Sequence, residues 1–421
     1  MRWLWLIVAA IVARASVAAA DDAMTFEQAI QLALSRNERA KISDLDAVSA
    51  EAAVDRARVA FLPVLAATGA YTVRPVDKPV NLATGQVQLS QPIFAPSAFP
   101  LYDQAKHALD AQRAQTIEDK RQLAFDTAHA FFAVLLAQRV AEAAQKKLDT
   151  ATADVADTDA QFKAQLVSSN DVTRAELSRS GSIRDLAADK GSYDAALVQL
   201  AYIVNAATPK QLATPSATLT AGKQPVVGLD DLVKDGIARR PDLAVKRHSA
   251  IAAHDFAREP RWRYLPSVGF LGQLSATSHP ANGADTIDGS LGLNASWTIY
   301  DGGARSADAA SRDAAAEIAD LETQMTIRQV ESDVRTAAAQ LVSAQASLIG
   351  AQDAVDSSRK SADETAILYR QGLAKAIELV DANEQRFESE VDYAEAEFAV
   401  ATAYLALRQA LGEGPLEDAK K

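Results

Sequence analysis

The chain has 421 residues, 48% hydrophobic, 6% aromatic and 23% charged, with no cysteine and a formal net charge of −12. The acidic balance excludes a protein built to grip phosphate backbones, so no nucleic acid is expected as a partner. The lack of cysteine excludes disulfide frameworks, thiolate metal sites and cysteine nucleophiles, and an alanine content of about a fifth predicts long, closely packed helices.

Residues 1–20 read as an export signal. Arg2 precedes the apolar run Trp3 to Ala13, and Ala18-Ala19-Ala20 forms a small-residue cleavage site before Asp21-Asp22. No later helix is expected to span a membrane, because the most apolar stretch, Ala130 to Ala137, is only about eight residues long.

The remainder is a duplicated half. Thr25-Phe26-Glu27-Gln28-Ala29-Ile30 recurs in type as Gly228-Leu229-Asp230-Asp231-Leu232-Val233, and Phe61-Leu62-Pro63 as Tyr264-Leu265-Pro266. Ser90-Gln91-Pro92-Ile93-Phe94 recurs as Ser296-Trp297-Thr298-Ile299-Tyr300, and Phe162-Lys163-Ala164-Gln165-Leu166 as Tyr369-Arg370-Gln371-Gly372-Leu373. The offsets drift only from 203 to 207 residues. We therefore expect a first repeat at 21–204, a Pro/Thr/Gly-rich linker at 205–228, a second repeat at 229–412 and a tail at 413–421.

Each half predicts a helix, two strands in a hairpin, a very long helix, a turn and another long helix. In the first hairpin Ala67, Tyr71 and Val73 mark one strand, and Val87, Leu89 and Ile93 alternate with Gln86, Gln88 and Ser90 in the next. In the second, Val268, Phe270, Leu274 and Ala276 are followed by Leu291, Leu293, Ala295, Trp297 and Ile299 alternating with small polar residues. Asp77 to Thr84 and Ser278 to Asp288 are the expected loop tips. The long helices carry heptads: Leu123, Thr127, Ala130, Val134, Ala137, Ala141, Ala144, Leu148, Ala151, Val155 and Phe162, then Val330, Val334, Ala337, Leu341, Ala344, Leu348, Ala351 and Val355. Leu101 to Gln165 would make a rod on the order of 100 Å long. A spacer coiled coil would show the same periodicity.

The strands separate these readings. Segments of about ten residues, apolar on one face and polar on the other, suit a transmembrane β-barrel. A half-exposed soluble sheet gives the same alternation in any single strand. Here four such strands sit on an exported chain, and four cannot close a barrel, so copies must supply the rest.

In this order and doubling, the motifs resemble the TolC family of outer-membrane efflux proteins. The carriers are Thr25 to Ile30 with Ala33-Leu34 and Asn37, Leu62-Pro63, Leu265-Pro266, Ile299-Tyr300-Asp301-Gly302-Gly303, Tyr369 to Ala374, and Gln409-Ala410-Leu411-Gly412. The resemblance covers essentially the whole mature sequence. It implies a mainly α fold with a β-barrel part: a homotrimer with a 12-stranded barrel in outer-membrane lipid above a long periplasmic α-barrel. It implies an exit duct for efflux or type I secretion, serving a periplasmic adaptor and an inner-membrane pump of the RND or ABC class, with no cofactor. A soluble periplasmic coiled-coil adaptor is the alternative.

Several residues acquire expected roles. Gln165, Leu166 and Val167, with Gly372, Leu373 and Ala374, form two tips whose apolar members either contact an adaptor or cap their own hairpin. Glu378 and Asp381 share a helix face and match the family's acidic gate positions; their first-half counterparts are Asp171 and Arg174. A solvated helix face would look the same. Asp301, Gly302 and Gly303, with Pro92, Pro96 and Pro100 in the first half, are expected to turn the chain from barrel to rod. Enzyme signatures are absent: His107, His129, His248, His254 and His279 have no HExxH or i, i+4 spacing, so no metal ligands are assigned, and no GxSxG elbow occurs.

Overall fold

The computed structural model describes residues 23–74, 80–209, 211–278 and 286–416. The expected leader at 1–20, the loop tips at 75–79 and 279–285 with His279, and the end of the tail lie outside these residues.

The first half opens with α1 (Phe26–Arg36) and α2 (Glu38–Arg58), followed by β1 (Val64–Arg74), β2 (Val80–Phe94), α3 (Ala98–Lys163) and α4 (Ser169–Val204). After α5 (Ser216–Gly222), the second half repeats the series as α6 (Leu229–Arg239), α7 (Pro241–Trp262), β3 (Ser267–Thr277), β4 (Ile287–Ser296), α8 (Ala304–Arg370) and α9 (Ala376–Ala410).

Two helices therefore precede each hairpin, where one was expected. Asn37 ends α1 in an extended conformation, and its side chain donates to the Ile203 carbonyl at 2.7 Å. Pro241 at the start of α7 holds Arg240 extended, because a residue before proline avoids the helical region. The Thr25 motif is a capping box: Thr25 Oγ1 accepts from the Gln28 amide at 3.2 Å, and Gln28 Oε1 from the Thr25 amide at 2.9 Å. The 205–228 segment is more ordered than a plain linker, holding α5 and a parallel bridge between Met24 and Leu212. Gly350 does not end α8; one helical glycine costs only about 1 kcal/mol against alanine.

The heptads are burial patterns. Val330, Val334, Ala337, Leu341 and Val355 are buried along α8, as are Leu123, Thr127, Val134, Ala144 and Ala151 along α3. Phe162 departs from its seam and is exposed, whereas its counterpart Tyr369 is buried and shares a 3.0 Å hydrogen bond with Thr158. One 18-residue window of α3 reaches a mean hydropathy of 1.2, more than the sequence reading allowed, and half of it is buried within the fold.

The described residues form two compact units, each drawing on both halves of the sequence. One contains the described residues 23–37, Gln122–Asp230 and 334–416. Its core is aromatic, with Phe26 5.5 Å from both Phe131 and Phe132, and Phe132 6.1 Å from Phe398. The other contains Glu38–Arg121 and Asp231–Asp333. There Phe61, Phe99, Tyr102 and Trp262 cluster at 5.0 to 6.0 Å, and buried Glu259 takes 2.6 Å bonds from Arg263 and Arg312.

The second unit holds an antiparallel sheet of order β1-β2-β3-β4. The strands run further into the expected loop tips, beginning at Val80 and Ile287, and β4 ends at Ser296, before Trp297. Register places Leu65 opposite Leu89, Val87 opposite Leu274, and Phe270 opposite Leu293, all on one face. The other face aligns Thr68 with Gln86, Gln86 with Ser275, and Gln273 with Ser290. The apolar face is largely open to the surroundings: Leu65, Tyr71, Leu291 and Leu293 are all well exposed.

Candidate functional site

The tips come together. Gln165, Leu166, Val167, Asp171 and Arg174 from the first hairpin line one open concavity of about 980 Å³ with Gly372, Ala374 and Lys375 from the second. Both long helices end in the same way. Leu166 N–H donates to the Gln161 carbonyl and Gln165 N–H to Phe162, at 2.9 and 2.8 Å; Leu373 and Gly372 donate to Leu368 and Tyr369, both at 2.9 Å. These are Schellman closures, which need a left-handed residue at the turn. Gly372 supplies it at φ 75°, and Gln165 takes the same conformation at φ 62° despite its side chain.

Of the tip apolar residues, Leu166 and Leu373 are open and Val167 is half-buried. Leu166 is 75% exposed and Leu373 72%, while Ala374 packs beneath them on the Tyr369, Ala376 and Leu379 cluster. The acidic positions differ from one another. Asp171 accepts from the Ser168 amide at 3.0 Å and the Ser168 hydroxyl at 2.8 Å, and so caps α4. Glu378 accepts more loosely from the Lys375 amide, at 3.3 Å. Asp381 and Arg174 are exposed, with no ion pair among the described residues.

Further up the same hairpins is a polar group that sequence reasoning missed. Lys147 pairs with Glu384 at 2.8 Å and Asp185 at 3.1 Å, tying α3 to α9 and α4. Beside it, burial pushes the Asp154 carboxyl up to about 6, against a 2.8 Å hydrogen bond from Asn383 and with help from Asp157. These partners lie up to 237 residues apart in sequence, so no local spacing could have revealed them.

At the strand-to-helix corner, Gly302 and Gly303 adopt φ 71° and 91°, as the Asp-Gly-Gly motif requires. Asp301 accepts from the Gly303 amide at 3.1 Å and from the Arg305 amide and guanidinium at 3.0 and 2.7 Å. Arg305, buried and also unanticipated, donates to the Arg263 and Ile299 carbonyls and lies 4.2 Å from the Tyr264 ring. In the first half, Pro96 sits in the turn before α3 and Pro100 in its first turn. Pro92, expected at the corner, is inside β2 at a register shift, where a residue without an N–H is tolerated. The histidines also depart from expectation: His107, Asp110 and His248 converge although no ligand spacing announces them.

The family model for outer membrane efflux proteins matches residues 29–206 and again 232–413. Solved structures of similar fold include the outer membrane protein VceC of Vibrio cholerae, at 16% identity and TM-score 0.77, covering 92% of this chain and 96% of that one. The MtrE outer membrane channel of Neisseria gonorrhoeae gives 19% and 0.78, covering 94% and 91%. The CmeC outer membrane channel of Campylobacter jejuni gives 15% and 0.78, covering 93% and 87%. No curated protein sequence matches the chain. A model matched twice over most of the length places this chain in the outer membrane efflux protein family.

Proposed function

We infer that the chain is one third of an outer-membrane exit duct in a Gram-negative bacterium, receiving substrates from a periplasmic adaptor and an inner-membrane pump. The observation that carries this is the sheet. One face is apolar and exposed, the other is mostly polar, and among the described residues β1 and β4 each keep an edge without a strand partner. In lipid such edges must be paired, and three copies give an even-numbered barrel of about 12 strands with a wet interior. The helices support assembly as well. Besides its buried seam, α8 carries exposed Ile318, Leu321 and Met325 at i, i+3 and i+7, a second apolar face suited to a neighbouring copy. The soluble adaptor alternative has no use for a sheet exposed on its apolar face.

The sequence repeats at 21–204 and 229–412 then build matching staves of the wall. The apolar tips Leu166, Val167 and Leu373 present the adaptor surface. Asp381 and Glu378 form the acidic ring at the periplasmic entrance; Asp171 contributes chiefly through its cap, and Arg174 is free to pair with a neighbouring copy. Three copies of two carboxylates around one axis repel each other and hold cations.

Planar-bilayer recording tests this reading. Wild-type protein should form cation-preferring pores, and Asp381→Asn with Glu378→Gln should raise conductance and weaken the cation preference. Unchanged conductance and selectivity would remove these residues from the gate, and no pore at all would remove the duct.

A further inference from the structure

We propose that His107, Asp110 and His248 form a binding site for a divalent transition cation of the zinc class, cross-linking α3 to α7. His107 and Asp110 stand three residues apart on α3 and share a face; His248 comes from α7. One ligand atom from each residue lies within 4.8 Å of the others. The His107 Nδ1 to Asp110 Oδ2 distance is 3.8 Å. That is too long for a hydrogen bond, but close to the separation of about 3.4 Å between two ligands on one tetrahedral zinc.

The nitrogens themselves point to a ligand. Nδ1 of His107 and Nδ1 of His248 are both shut off from solvent with no hydrogen-bond partner. Leaving two ring nitrogens unsatisfied is costly unless something binds them. The support around the site fits as well. Asp255, buried and two turns along α7 from His248, sits 3.7 Å from the other ring nitrogen, Nε2 of His107, and is itself held by Arg258 at 3.2 Å. A carboxylate behind a ligating imidazole fixes its orientation and raises its basicity once within hydrogen-bond range, and Asp255 stands about 0.5 Å outside that range. Two imidazoles and one carboxylate select zinc, copper, nickel or cobalt over magnesium and calcium, which prefer all-oxygen sites. Closing the widest gap takes about 1.4 Å of side-chain movement toward tetrahedral spacing, available because both α3 ligands are partly exposed.

The cation would clamp the helix leaving β2 to the helix entering β3. The test uses untagged mature protein in detergent, stripped with chelator and titrated with Zn²⁺ by calorimetry. One Zn²⁺ per chain is expected, with binding at least tenfold weaker in Asp110→Asn and in His248→Gln and unchanged in His254→Gln and His279→Gln. Zn²⁺ should raise the melting temperature of wild type and not of Asp110→Asn, and Mg²⁺ should do neither. Should His248→Gln fail to fold, the wild-type stoichiometry and the isosteric Asp110→Asn decide. Less than a tenth of an equivalent bound, or equal binding by wild type and Asp110→Asn, overturns the proposal.

Discussion

Gln165 and Gly372 hold equivalent places in the two tips, and both adopt a left-handed backbone. Only glycine does so without steric cost, so the first tip stores strain that the second avoids. Gln165→Gly should stabilise the protein by about 0.5–1 kcal/mol, seen as a higher melting temperature in detergent. Asp154 shows a second single-residue effect. Its carboxyl is raised by burial from 3.8 to about 6 in the folded chain, so the neutral form is favoured there. The stability this contributes is complete below pH 3.8 and is lost as pH rises through about 6. Asp154→Asn should therefore melt like wild type near pH 4 and at higher temperature above pH 6 to 7. A constant difference across that range would contradict the assignment.

The long helices are set by a seam that sequence periodicity exposes well. Leu341 lies in that seam, almost fully buried. Leu341→Ala should cost about 2–5 kcal/mol by leaving a cavity between rods that cannot collapse around it, measurable as a lowered denaturation midpoint. Periodic and doubled features, such as the α8 heptads, the four strands and the Asp301-Gly302-Gly303 corner, were legible in the sequence because each depends on residues close along the chain. The paired helices before each hairpin were less legible, since the break at Asn37 needs the Ile203 carbonyl to complete it. Pro92 misled for a similar reason: its place at a bulge depends on β3 across the sheet. The tip was readable as a turn, but the capping duty of Asp171 and the burial of Tyr369 against Thr158 emerge only from packing. The Lys147 group and the His107–His248 pair join distant helices and leave no local signature at all.

In the assembled molecule, an apolar outer surface and a polar inner one must coexist on strands only one residue thick. Period-2 alternation achieves this most cleanly in β4, and antiparallel register carries it across the sheet, with Leu82 and Leu271 as apolar residues on the polar face. Because the chain has no cysteine, single cysteines introduced along β4 can be read without background. The decisive measurement is labelling of such variants, reconstituted in liposomes, with a membrane-impermeant maleimide. Positions 290, 292 and 294, on the polar face, should label rapidly through a water-filled lumen, whereas 289, 291 and 293 should resist in lipid. Equal labelling of both sets, or protection of both, would contradict a barrel wall with water on one side and lipid on the other.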